Sequence, residues 1–110
     1  IGEYMANIRK KRPEHDKGVE IEDDVWIGSN VTILHGVTIR RGSVVGAGSI
    51  VTRSTQPYSI SVGNPARLLR YRFSKEQILK HEELLYSPQE RLTSEQIDAF
   101  ISFKAHGNPL

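Results

Sequence analysis

Residues 21–51 read IEDDVW, IGSNVT, ILHGVT, IRRGSV, VGAGSI and V, six-residue units that each open on an aliphatic side chain: Ile21, Ile27, Ile33, Ile39, Val45 and Val51. Four residues behind each of these stands Val25, Val31, Val37, Ser43, Ser49 or Thr55. A fixed short period of this kind marks a repeat architecture, because one strand and one turn cannot bury an apolar face alone but can when units stack. A helix would repeat near every 3.6 residues, and a half-buried hairpin strand would alternate by two with no reset at six. Three units make one triangular coil with its aliphatic corners inward, so residues 19–54 are expected to form two coils of a parallel β-helix. Gly18, Gly36, Gly42 and Gly48 agree, each falling three after a corner or its equivalent, where a tight turn calls for positive φ.

Outward from the coils the pattern changes on both sides. Residues 1–18 lack periodicity; they carry the run Arg9, Lys10, Lys11 and Arg12 ahead of Pro13, and read as an irregular basic lead-in. Open coil ends need further coils or a cap, so upstream coils or a cap built from residues 1–18 are expected. The chain starts at Ile1 rather than methionine, which suggests a fragment or a processed product. Downstream, Gln56-Pro57 and Gly63-Asn64-Pro65 punctuate an extended exit segment, which closes a coil region spanning 19–70. Residues 71–110 then become helical. Ser74 with Gln77 and Thr93 with Gln96 fit the capping box, and each opens an amphipathic run: Ile78, Leu79, Leu84 and Leu85, then Ile97, Phe100 and Ile101. Ser87-Pro88 should end the first helix.

Composition bounds the function. One hundred and ten residues suit one domain, and 37% hydrophobic with 25% charged content is that of a globular chain. Uncharged stretches such as Gly42 to Thr52 are too short to span a bilayer, and no signal-peptide leader is expected at the start of the chain. Without cysteine there are neither disulfides nor thiolate metal sites, and a cytoplasmic location is the default expectation. A formal net charge of +2, with no interleaved aromatic platform, argues against a nucleic-acid partner.

Four segments together carry a family resemblance: Asp24-Val25-Trp26-Ile27-Gly28-Ser29, Ile33 to Ile39, Val45 to Thr52, and Gly63-Asn64-Pro65-Ala66-Arg67. Over residues 19–73 the chain resembles the hexapeptide-repeat acyltransferases. Leu69 to Ser74 with a following helix is most similar to the xenobiotic and polysaccharide O-acetyltransferase branch, which includes chloramphenicol and streptogramin acetyltransferases. That resemblance implies an all-β, left-handed parallel β-helix with a C-terminal helical extension. It also implies a homotrimer that binds acetyl-CoA between subunits and transfers acetyl to a hydroxyl of a sugar, polysaccharide or xenobiotic. The left hand rests on the family alone, since crossovers between parallel strands are right-handed in most folds.

The residues can support such chemistry. A pantetheine arm needs an extended backbone edge and small side chains beside it, and the phosphorylated nucleotide end needs arginine or lysine. By the resemblance, the cofactor contacts are Trp26, Ser29, Ala47, Thr52, Arg67 and Arg70. The plainer readings are that Trp26 packs against a subunit, that Ser29, Ala47 and Thr52 are small for turn geometry, and that Arg67 and Arg70 form a solvated face. In the family a histidine is the general base and lies upstream of the Asp24–Ser29 segment, so the catalytic residue is unknown here; His15, beside Asp16, is the best internal candidate. His35 reads as a surface turn residue, and His81 and His106 as structural or exposed. Three convergent histidines are lacking, so no metal is expected. Arg40-Arg41 is expected to make the surface near the cofactor end more basic. The acceptor is not encoded in these motifs, and a non-catalytic trimerisation or scaffold domain is the alternative they leave open.

Overall fold

The computed structural model describes residues 18–103. Six two-residue strands lead: β1 (Glu20–Ile21), β2 (Trp26–Ile27), β3 (Thr32–Ile33), β4 (Thr38–Ile39), β5 (Val44–Val45) and β6 (Ile50–Val51). They pair in parallel three units apart, β1 on β4, β2 on β5 and β3 on β6, with Ile21 opposite Ile39, Ile27 opposite Val45 and Ile33 opposite Val51. The sixfold residues therefore stack directly on one another. Ile21, Ile27, Ile39, Val45 and Val51 are buried in one core with Val37, while Val19, Val25, Val31 and Ile33 pack against its edge. Burying each such side chain contributes about 1.5–3 kcal/mol, so the column supplies most of what holds these short strands.

The turns explain the period. Gly18, Asp24, Asn30, Gly36, Gly42 and Gly48 all have positive φ, one in every unit. Carbonyls of Leu34, Arg40 and Gly46 accept from the amides three residues on, the pattern of a type II turn, which places its positive-φ residue third. Asp24 and Asn30 fill that place because aspartate and asparagine tolerate the left-handed region better than other side chains.

The interior changes character toward the exit. Ser43, Ser49 and Thr55 are buried at the phase where earlier units carry valine. Their hydroxyls are used: Ser43 Oγ lies 2.8 Å from Thr55 Oγ1 and donates to the Gln56 carbonyl at 3.1 Å, and Ser49 Oγ accepts from the Gly63 amide at 3.1 Å. These bonds fasten the chain as it leaves the coils.

The exit segment is a hairpin rather than simply extended chain. Strand β7 (Ser59–Gly63) stacks in parallel on β5, with Val44 opposite Ile60, and β8 (Ala66–Tyr71) returns antiparallel to β7. This gives a four-stranded sheet of order β2-β5-β7-β8. Helices α1 (Lys75–Leu85) and α2 (Ser94–Ile101) follow, joined through a 3₁₀ turn at Pro88–Glu90. Both expected capping boxes form: Ser74 Oγ accepts from the Gln77 amide and Thr93 Oγ1 from the Gln96 amide, while each glutamine side chain accepts from the cap amide.

One expectation about α1 fails. Leu84 is 84% exposed and Leu85 half-exposed, whereas Glu82 is 1% exposed. The buried face of α1 runs through Ile78 and Glu82, and Ile78 joins Tyr58, Ile97 and Phe100 in a second core. Glu82 is accommodated because its carboxylate accepts from Tyr58 Oη at 2.6 Å, Arg41 Nη1 at 2.9 Å and the Leu92 amide at 2.7 Å. Arg41 also lies over the Tyr86 ring, 4.1 Å from its centroid. Arg41 is thus committed to fastening the helices to the coils, its charge met by Glu82, which corrects the expectation of a basic surface for that residue; Arg40 Nη1 donates to the neutral Thr55 carbonyl.

This clasp shifts tyrosine ionisation. Burial raises the Tyr58 phenol far above its ordinary value, and its bond to the Glu82 carboxylate adds to that. Tyr71 is pushed up to about 12 by burial, and Tyr86 to about 12 by burial and by its bond to Asp23. An unfolded tyrosine ionises near pH ~10, so above that the unfolded chain gives up protons that the folded chain keeps. The stabilisation is complete below about pH 10 and is lost as pH rises through the folded values near 12. Urea midpoints should fall over that window, and a Tyr71→Phe, Tyr86→Phe variant should fall less steeply; parallel curves would count against the assignment.

Candidate functional site

The register of the four-stranded sheet places the proposed contacts. Trp26 lies opposite Val44, Val44 opposite Ile60, and Ile60 opposite Arg70, so these four form one row across the sheet. Residues directly opposite share a face. Val62 lies opposite Arg67, and a Cβ on Gly46 would meet Val62 Cγ1 at 2.7 Å, so Gly46, Val62 and Arg67 lie on that same face. Trp26 to Arg70 covers three interstrand steps, roughly 14 Å at about 4.8 Å each. One end of the face is therefore an indole, 61% exposed. The other end carries two guanidinium groups.

Arg67 and Arg70 share a face for a reason invisible in their spacing. Three apart on a regular strand they would point to opposite sides. A register shift opposite Ile60/Ser61 makes Leu68 pair with Ser61 and Arg70 with Ile60, so Leu69 is the extra residue that brings both arginines round.

Ser29 and Ala47 meet beside this face on adjacent coils. The Ser29 carbonyl accepts from the Gly48 amide at 2.9 Å, and a Cβ on Gly28 would come within 2.7 Å of the Ala47 amide nitrogen. Both are exposed. The turn and strand here pass close together with little side chain on their outer surface.

Thr52 and Arg67 line a cavity of about 220 Å³ at the exit end of the coils, together with Arg53, Ser54, Thr55, Gln56 and Phe103. Its wall is mostly hydroxyl and cationic, with the Phe103 ring as the aromatic exception. Arg70 does not line it; Arg70 Nη1 donates to the Tyr71 carbonyl at 3.3 Å. The six residues thus divide into Trp26 with Ser29 and Ala47 toward one end, and Thr52, Arg67 and Arg70 toward the other, with Arg70 outside the cavity. Phe103 went unnoticed in the sequence because its position depends on where α2 ends and how Tyr71 holds it.

His15 lies outside the described residues. His81, on α1, is engaged on both ring nitrogens: Nδ1 lies 2.8 Å from Tyr58 Oη and Nε2 3.2 Å from Asp24 Oδ2. A wider groove of about 600 Å³ beside it is lined by Asp23, Asp24, His81, Leu85, Tyr86 and Glu90. Two of those carboxylates are already bonded, Asp23 to Tyr86 Oη and Asp24 to Arg72 and His81. Among the described residues no three acidic, histidine or cysteine side chains converge as a metal site, and no helix is long and apolar enough to cross a membrane.

The coil segment, residues 18–53, matches the family profile described as bacterial transferase hexapeptide (six repeats). These coils share the six-residue repeat that this profile describes. Around them the chain is 48% identical over 84 residues to a probable macrolide acetyltransferase of Lysinibacillus sphaericus, covering 68% of this chain and 47% of that one. It is 47% identical over 58 residues to a chloramphenicol acetyltransferase of Escherichia coli, covering 53% of this chain and 28% of that one. The chain therefore spans about half, or less, of the curated relatives it matches. A hexapeptide-repeat acetyltransferase of Vibrio cholerae solved with acetyl coenzyme A superposes with TM-score 0.50 and 50% identity, over 51% of this chain and 31% of that one. A Neisseria gonorrhoeae serine acetyltransferase superposes with TM-score 0.53 and 31% identity, over 59% and 25%. The repeat coils and the resemblance to acetyltransferases of the xenobiotic type are as the sequence led one to expect.

Proposed function

We propose that this chain holds the coenzyme in an acetyl-CoA-dependent O-acetyltransferase that acts on a hydroxyl of a sugar, polysaccharide or xenobiotic. The observation that carries the proposal is the single sheet face running from Trp26 to Arg67 and Arg70 beside a hydroxyl-lined, cationic cavity. An extended thioester arm lies along the face past Gly46, Ser29 and Ala47, and the phosphates meet Arg67, Arg70 and Thr52. Residues 19–70 make the coil and exit unit, 71–110 a helical tail and 1–18 a lead-in. The coils wind left-handed, and three chains associate so that the Trp26 end of the face is covered by a neighbour, in the cytoplasm. No metal takes part. The named acetyltransferase relatives and the acetyl coenzyme A complex of the Vibrio cholerae protein support this reading over a scaffold.

Transfer requires a base to take the hydroxyl proton as the oxygen attacks the thioester carbonyl, and donors for the resulting oxyanion. The base stays unassigned, with His15 as the internal candidate.

Calorimetric titration of coenzyme A tests the proposal. A charge-assisted bond contributes about 1.5–3 kcal/mol, so Arg67→Ala with Arg70→Ala should weaken binding by roughly tenfold to a hundredfold or more. Equal heats in the two proteins, or no heat in either, would remove it.

A further inference from the structure

The geometry points to Phe103 as the platform on which the adenine ring of the coenzyme lies, an inference that rests on the coenzyme reading above. Phe103 follows the end of α2, whose other aromatic, Phe100, is buried in the second core with Ile97. Phe103 is not absorbed in this way: it stays 42% exposed and forms part of the cavity wall that also holds Arg53, Arg67 and Thr52. Its backbone is held in place by Tyr71, whose hydroxyl reaches the carbonyls of both Phe100 and Phe103, the latter at 2.9 Å. Tyr71 belongs to β8, the strand that carries both arginines. The ring and the guanidinium groups are thus positioned by one strand.

A heteroaromatic base attached to phosphates matches this combination: a π face for the ring, cations for the phosphates and hydroxyls for the remaining oxygens. At about 220 Å³ the cavity is smaller than the ~300–1,000 Å³ of sites for drug-sized ligands. It suits one ring system, with the pantetheine arm left outside along the sheet.

Coenzyme A and 4′-phosphopantetheine, which lacks the adenosine, are titrated into the wild-type chain and into Phe103→Ala, Phe103→Trp and Tyr71→Phe. Stacking of a base on an aromatic side chain corresponds to roughly a fivefold to hundredfold loss on alanine substitution. Phe103→Ala should therefore weaken coenzyme A by about tenfold or more and leave 4′-phosphopantetheine unchanged. Phe103→Trp should keep full affinity, and Tyr71→Phe should fall between. Equal loss for both ligands, or no loss for either, overturns the role of Phe103 while the coenzyme reading stands. Absence of coenzyme A binding in the wild type overturns both.

Discussion

Glu82→Ala should lower the stability of this protein by about 3–5 kcal/mol, the usual consequence of removing one partner of a buried ion pair. The substitution leaves Arg41 Nη1, Tyr58 Oη and the Leu92 amide without the carboxylate that receives all three. Those donors come from a coil turn, the exit hairpin and the linker between the helices, so one deletion loosens three contacts that converge on α1. The cost lies in the stranded groups more than in the lost attraction. Glu83→Ala, at the exposed neighbouring position, should stay within about 0.5 kcal/mol. Removing the opposing charge as well, in Arg41→Met with Glu82→Leu, should recover part of the loss, because the pair then leaves no buried charge behind. Urea midpoints at one protein concentration decide it; similar midpoints for Glu82→Ala and Glu83→Ala would show that the clasp does not hold the fold.

The same residue marks the boundary of what the sequence could disclose. The corners from Ile21 to Val51 were legible because the period of six has one structural solution, and their burial follows from it. Asp24 and Asn30 were legible in principle, being in phase with the turn glycines. Trp26 was readable as outward-facing from its place between two inward positions. Glu82 gave no such signal: a charged residue on a helix reads as solvent-facing unless its partners are known, and Arg41 is 41 positions away. With Glu82 on the buried face, Leu84, two residues on, falls on the opposite side of the helix and is exposed. For the site, the identities of Arg67 and Arg70 could be read but their common face could not, since it depends on the extra residue Leu69 in β8. Thr52 and Arg67 could be named, whereas their meeting with Phe103 required the tail to be folded back by Tyr71.

Gly42→Ala and Gly48→Ala should differ in cost although the backbone demands of the two sites are nearly the same. Gly42 has φ +74° and Gly48 φ +76°, so an alanine at either pays about 1–2 kcal/mol for the left-handed region, offset slightly by stiffening the unfolded chain. At Gly48 the added methyl meets nothing within 4 Å, and the conformational term is the whole effect. At Gly42 it would stand 2.5 Å from Tyr58 Cδ1 and 2.7 Å from Cε1. The ring cannot swing aside cheaply: Tyr58 is fully buried, itself has positive φ, and is held through its hydroxyl by Glu82. Overpacking of this kind adds about 1–3 kcal/mol, which brings Gly42→Ala to about 2–5 kcal/mol and separates it from its twin by at least the lower bound of that term. A double-mutant cycle isolates the contact: in a Tyr58→Ala background the excess cost at position 42 should vanish while the cost at 48 persists. If Gly42→Ala and Gly48→Ala shift the urea midpoint equally, or the excess survives removal of the ring, then the coil turn at Gly42 is not braced against Tyr58 and the helical tail is joined to the coils by some other contact.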